Sequence, residues 1–462
     1  MSFRVPYPQT LQRAIARDFP RSRASANSIG AAAALCAALC LPYSPRAEAG
    51  NTFFVSNNAD SGPGSLRDAI ALANASAGNT VEFEASLNGS TISLTTGSGY
   101  IEINQPMTIY GPGSNLLTIS GSHETRIFYV HTNSSDVVAI NGLTLTAGNA
   151  GAFQGGAVGA KDSTLALNYS MVSDSTAGDG GGVFVTGGVL AVVASQISGN
   201  AAASNGGGVG TVDSAVSIDR STISANTAGG YGAGVFANGL PFGKAFSIER
   251  STISGNRIPQ PQAPTNQGGG GLALKNFSSS DGSLYNSTVA LNYSFQNGAG
   301  VLLDTVTAST FFVHYATVSG NSSAASGGNG ITTPGVSTLQ VSGSIVAGNF
   351  SRDGISDLSG QFHLVNCLIQ NQGSATITAS SNGNLFLIDP HLSALADHGG
   401  PTLTMLPAAN SVALDAGPSC GLQEDDQRSV GFTRCVNDNV DIGAVERQSP
   451  EDIIFRDGFN SS

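Results

Sequence analysis

"STISANTAGGYGAGVFANG" spans residues 221–239, and its opening six letters return along the chain at a steady beat. Near copies are SQISGN (195–200) and STISGN (251–256). Looser copies are SMVSDS (170–175), STVALN (287–292), ATVSGN (316–321) and SIVAGN (344–349), with CLIQN (367–371) a shortened one. Their central β-branched residue falls at 172, 197, 223, 253, 289, 318, 346 and 369. A glycine phrase keeps the same time: GGAV (155–158), GGGV (180–183), GGGV (206–209), GAGV (232–235), GGGL (269–272) and GAGV (298–301), with GNGI (328–331) a weaker member. A short alternating stretch precedes most of the serines, as in Val216 and Ile218 or Phe246 and Ile248.

Alternation of apolar and small or polar residues marks strands with one buried face. Each unit of about 26 residues holds three such stretches, a period that indicates a solenoid or a propeller. A propeller blade needs four strands in a longer unit, usually with aromatic punctuation, and this chain has no tryptophan. Three strands per turn predict a parallel β-helix, in which equivalent strands stack about 4.8 Å apart and like residues pile into columns. Ser221 and Ile223 then share the inward face, so the serines form a column of small buried residues. Cys367 and Ala316 fall in that column, which makes Cys367 a buried small residue and not a reactive thiol. Asn226 and its equivalents sit at a bend, where stacked asparagines can bond successive backbones.

These phrases resemble the glycine-glycine-apolar and x-x-x-Asn repeats of bacterial polymorphic outer-membrane proteins and other right-handed β-helix surface proteins. Right-handedness is what that resemblance implies. The expected fold is therefore all-β: a single-stranded right-handed parallel β-helix, or solenoid, of about ten coils, with a short N-terminal capping helix. Ser65 can cap that helix with Asp68 three residues later, and Leu66, Ala69, Ile70 and Ala73 make its apolar stripe. This start is similar to the N-terminal region of many exported bacterial β-helix proteins.

Five segments are expected: 1–49 as a signal peptide, 50–140 as cap and early coils, 141–383 as the repeats, 384–447 as a C-terminal region and 448–462 as a tail. The first carries Arg4, Arg13, Arg17, Arg21 and Arg23, an apolar run at 29–41 and Ala47-Glu48-Ala49, which places cleavage before Gly50. Cys36 and Cys40 follow leucines, which argues against a lipid anchor. Export to the extracellular space or outer surface follows. Residues 388–417, Asp426-Gln427-Arg428 and 441–446 closely resemble the choice-of-anchor Q domain, although Ser429 stands where that family usually has glycine. The tail resembles short terminal tags of exported bacterial proteins.

Charged residues make up 11% of the 462, and the formal net charge is −12. Without 1–49, 13 basic and 29 acidic residues leave −16. That excess argues against nucleic acid or an anionic membrane as partner. No apolar run spans a bilayer, and a monomer is expected. Cys420 and Cys435, 15 residues apart, can close a disulfide in an exported chain.

Hydrolysis of glycosides needs paired carboxylates, and elimination needs a bound cation with a basic side chain. The strand after the glycines exposes few charges, with Lys275 and Asp304 as neighbours across one rung. Asp219-Arg220 and Glu249-Arg250 are expected to stack as a solvated charge ladder at a corner. Asp425, Asp426, Asp438 and Asp441 with Arg428 read as internal ion pairs. No metal and no cofactor are expected, since the six histidines lack ligand spacing. Longer loops at 239–244, 257–267 and 275–282 lie beside the glycine-led strand, and with Phe236, Lys275, Leu302 and Asp304 they suggest a shallow groove for a glycan or a surface protein. The leading expectation is non-enzymatic adhesion or binding. The alternative is a lyase or hydrolase of acidic or plant-type polysaccharide.

Overall fold

The computed structural model describes residues 50–240, 244–259, 268–277, 281–304, 310–326, 329–334, 338–379, 381–420 and 425–448. The signal-peptide reading of 1–49, the tail from 449 onward and most of the long-loop tips lie outside these residues.

The chain winds into a right-handed parallel β-helix, and among the described residues its strands stack into four sheets of 13, 12, 8 and 10 strands. We number these sheets 1 to 4 in the order the chain meets them around one coil. A representative coil runs from Ala215–Asp219 in sheet 1 to Thr222–Ser224 in sheet 2, Thr227–Ala228 in sheet 3 and Val235–Leu240 in sheet 4. The repeat pattern predicts three strands per turn, and the structure has four. The additional strand follows the asparagine and has only two residues in most coils, too few to show an alternation.

The columns are in register. Val172, Ile197, Ile223, Ile253, Val289, Val318, Val346 and Ile369 pair in succession. All are buried and belong to one core that runs the length of the solenoid. The serine column is buried with them and does more than fill space. Ser195 Oγ accepts the Ser170 amide at 3.0 Å, Ser221 Oγ that of Ser195 at 3.1 Å, and Ser251 Oγ that of Ser221 at 3.1 Å. Each of these hydroxyls also donates to the carbonyl two residues before it.

The asparagines form a second ladder. Asn200, Asn226, Asn256, Asn292 and Asn321 each direct both the backbone amide and Nδ2 to Oδ1 of the next asparagine, at 2.8 to 3.1 Å. Asn349 ends the run on Asp357 Oδ1. The left-handed backbone at both corners falls on the residue before the ladder side chain: Arg220 (φ 49°) before Ser221, and Ala225 (φ 54°) before Asn226.

The N-terminus closes as the sequence predicts. Helix α1 (Leu66–Ala73) buries Leu66, Ala69, Ile70 and Ala73, and Ser65 Oγ accepts the Asp68 amide while Asp68 accepts that of Gly64. It packs on the strands Thr52–Val55 and Asn79–Phe83. Cys367 is fully buried, and burial pushes its thiol up to about 12. The far end differs from a terminal plug. Residues 388–420 and 425–447 lie along the outward side of sheet 2 as a strap with little regular structure. Leu403 O accepts from Thr252 Oγ1, Gln427 Oε1 from Thr288 Oγ1, and Thr317 Oγ1 from the Ala444 amide. Ile345 and Leu368 meet Ala413 and Ile442 in a small apolar cluster. Ser429 has φ 69°, the left-handed backbone glycine takes without strain, and its hydroxyl is buried without a hydrogen bond.

Candidate functional site

The outward face of sheet 4 is built by register. Phe236 pairs with Ala273 and Ala273 with Leu302, so these three make one outward column. Two residues on, Asn238, Lys275 and Asp304 make the next. The structure thus brings together all four residues the sequence singles out. Phe236 and Leu302 are buried, at 7% and 5% exposure, and form a floor with Ala273. Lys275 Nζ lies 3.1 Å from Asp304 Oδ2 on the accessible layer.

A fifth residue completes the group. Tyr231, on the loop between sheets 3 and 4, stacks on Phe236 with ring centres 6.2 Å apart. The Lys275 ammonium sits 3.9 Å from the centre of the Tyr231 ring. Burial works against the lysine charge, yet the Tyr231 side chain and the Asp304 carboxylate outweigh it and hold the Lys275 pKa above its ordinary value. No repeat phrase marks Tyr231, because the loop that carries it varies in length and composition from coil to coil.

The other charged groups hold the fold together. Asp219 stacks on Glu249 across the rung as expected, but it is not solvated: it is 3% exposed and covered by Arg220 and Arg250. Arg250 Nε donates to it at 2.8 Å, and Arg220 Nε lies 3.0 Å from its other oxygen without hydrogen-bond alignment. In the strap, Arg428 forms a buried ion pair with Asp426 at 2.6 Å. Asp438 carries none of these bonds; its amide oxygen accepts from Cys420. The carboxyl oxygens of Asp415, Asp441 and Glu446 converge within 4.8 Å of one another. Asp441 accepts the amides of Asp415 and Arg447, and Glu446 accepts that of Asp441, so these carboxyls tie loops of the strap. Burial, with the neighbouring Asp441, pushes Glu446 up to about 8. Cys420 and Cys435 form the expected disulfide, also in the strap. Burial and the Arg434 charge pull His314 down to about 4, between Tyr285 and Tyr315.

Among the described residues, no helix is long and apolar enough to cross a membrane. No family model and no curated protein matches this chain. Among solved structures, the crystal structure of pectate lyase Pel9A aligns with a TM-score of 0.52 and 16% identity, over 87% of this chain and 98% of that one. At that identity the likeness is one of fold: both chains are parallel β-helices.

Proposed function

We propose that this chain is an exported β-helix protein that binds an acidic polysaccharide on the outward face of sheet 4 without cleaving it. The observation that carries this reading is the placement of lysine. The chain has three lysines in a sequence of net charge −12. Lys161 ends the strand Val158–Lys161 and Lys275 lies in Leu272–Phe277, both in sheet 4. Lys244 is exposed at the corner that follows. An acidic molecule that keeps all its lysines on one edge has a place for a polyanion there. Lys275 offers a carboxylate its ammonium beside the half-buried ring of Tyr231, which suits a uronate ring with one apolar face.

A second reading, polysaccharide elimination, is favoured by the likeness in fold to an enzyme named for pectate. Its difficulty is chemical. A general base must be able to shed its proton near the working pH, and Lys275 is held in its charged form.

The two readings separate in one experiment. The purified chain beginning at Gly50 is mixed with polygalacturonate, and affinity electrophoresis is run beside an ultraviolet assay for unsaturated ends. Retardation without products is expected. Lys275→Ala weakens the binding by about tenfold, the scale of one lost charge-assisted contact. Products that vanish in Lys275→Ala would establish elimination instead. Sequencing the secreted protein tests export, with Gly50 as the expected first residue.

A further inference from the structure

We propose that Tyr100, Arg126, Tyr129 and Phe153 form a second saccharide platform on the same face, so that a polysaccharide lies lengthwise across sheet 4 and touches both ends. This rests on the reading just given and adds a chain-length requirement to it.

Tyr129 lies on the strand Phe128–His131, in sheet 4 beside Ile101–Ile103 and Val158–Lys161. Its neighbours in the outward column are the exposed Glu102 on one side and Gly159 on the other, so a carboxylate borders the platform at its outer end, away from Lys275. A Cβ at Gly159 would sit 3.3 Å from Arg126 Nε and 3.4 Å from Tyr129 Cδ2, so the glycine leaves room for both side chains. The Arg126 guanidinium is 5.4 Å from the Tyr100 ring centre and 5.3 Å from that of Tyr129. Its Nε and Nη2 donate to the carbonyls of Gly155 and Gln154, which fixes the loop that carries Phe153. Tyr100 is 44% exposed and Phe153 75% exposed. Tyr100 and Tyr129 meet edge to face with ring centres 5.8 Å apart, and aromatics clustered this way yet left partly in water mark a binding surface.

The two platforms are joined by a passage of suitable chemistry. Sheet 4 steps five times from Phe128–His131 to Leu272–Phe277, through strands led by Val158, Val183, Val209 and Val235. At about 4.8 Å per step the span is about 24 Å. The outward residues on the way are Gly159, Phe184, Gly210 and Phe236 in one column, and Lys161, Thr186, Val212 and Asn238 in the other. None is a carboxylate. Asp162 and Asp213, one residue further on, fold their carboxylates over Gly187 and Gly239 of later coils. A span of this length fits an oligosaccharide of several rings and exceeds a mono- or disaccharide.

The test is isothermal titration of the chain beginning at Gly50 with galacturonate oligomers of increasing length, for the wild type, Lys275→Ala and the double variant Tyr100→Ala/Phe153→Ala. Both residues of the double variant are exposed, and thermal melting checks that it stays folded. Wild-type affinity should climb with length until the oligomer spans both platforms, then level off. The double variant should bind short oligomers as the wild type does and lose about tenfold on long ones. Binding that depends on Lys275 but ignores length and the double variant would overturn the second platform and leave the first standing. Absence of binding at every length would overturn both.

Discussion

At the scale of single residues, the fold rests on two ladders of unequal strength. Asn256 Oδ1 accepts two donors from Asn226, and its Nδ2 donates to Ile223 O and to Asn292 Oδ1. Asn256→Ala strands these partners in a fully buried column and should cost about 3 kcal/mol or more in urea unfolding. Ser221→Ala removes the acceptor of the Ser195 amide and the donor to Asp219 O and should cost about 1 to 2 kcal/mol; Ala316 already occupies the same column, so the loss is tolerable. Asp357 ends the asparagine ladder, and burial pushes its carboxyl up to about 6. A folded pKa above the ordinary 3.8 means the native chain holds the proton more tightly. The stability Asp357 contributes is then full below that ordinary value and falls as pH rises toward 6. Asp357→Asn should flatten this part of the stability curve, as seen by difference from the wild type in thermal melts across the same pH range. The ladders are legible in the sequence because stacking demands the same atoms at every rung. The left-handed corner residues are not: Tyr169, Ala194, Arg220 and Leu291 share that backbone and have no chemistry in common.

At the scale of elements, sheet 2 explains why the strap lies where it does. Its outward column reads Gln196, Thr222, Thr252, Thr288, Thr317, Ile345 and Leu368. Gln196 is exposed and Thr222 half-buried, while the residues from Thr252 onward are buried beneath the strap. The shift from Thr to Ile345 and Leu368 in an outward position is the sequence signal for a cover, but it is two residues long and easily read as part of the core. The strap itself has no period, so its path is invisible to pattern. Gln427 anchors it, fully buried, donating to Thr252 Oγ1, Thr402 Oγ1 and Leu403 O and accepting from Thr288. Gln427→Ala should weaken the strap by about 2 to 3 kcal/mol. Limited proteolysis should then cut within 388–447 while amide exchange in the coils stays slow; equal loosening of coils and strap would show that the two unfold as one unit.

At the scale of the whole molecule, a solenoid is nearly one-dimensional, and its chemistry is distributed by face. The inward columns supply the core, sheet 2 receives the strap, and sheet 4 carries Lys161 and Lys275 with the Tyr231–Phe236 and Tyr100–Tyr129 aromatic pairs beside it. Phe236, Lys275, Leu302 and Asp304 are legible as neighbours because in-register stacking fixes them from sequence. Tyr231, Arg126 and Phe153 are not, since they belong to loops or strand ends that the repeat does not govern. Binding of a polyanion to this face should weaken as salt screens Lys161, Lys244 and Lys275. Affinity electrophoresis at rising ionic strength measures this, and a salt-independent mobility shift would speak for an uncharged ligand. The most direct measurement is a crystal structure with a long galacturonate oligomer. Saccharide density is expected across sheet 4 from Tyr129 to Lys275, with a sugar carboxylate on the Lys275 ammonium. Density seated on another face, or an empty sheet 4 at saturating oligomer, would contradict this reading.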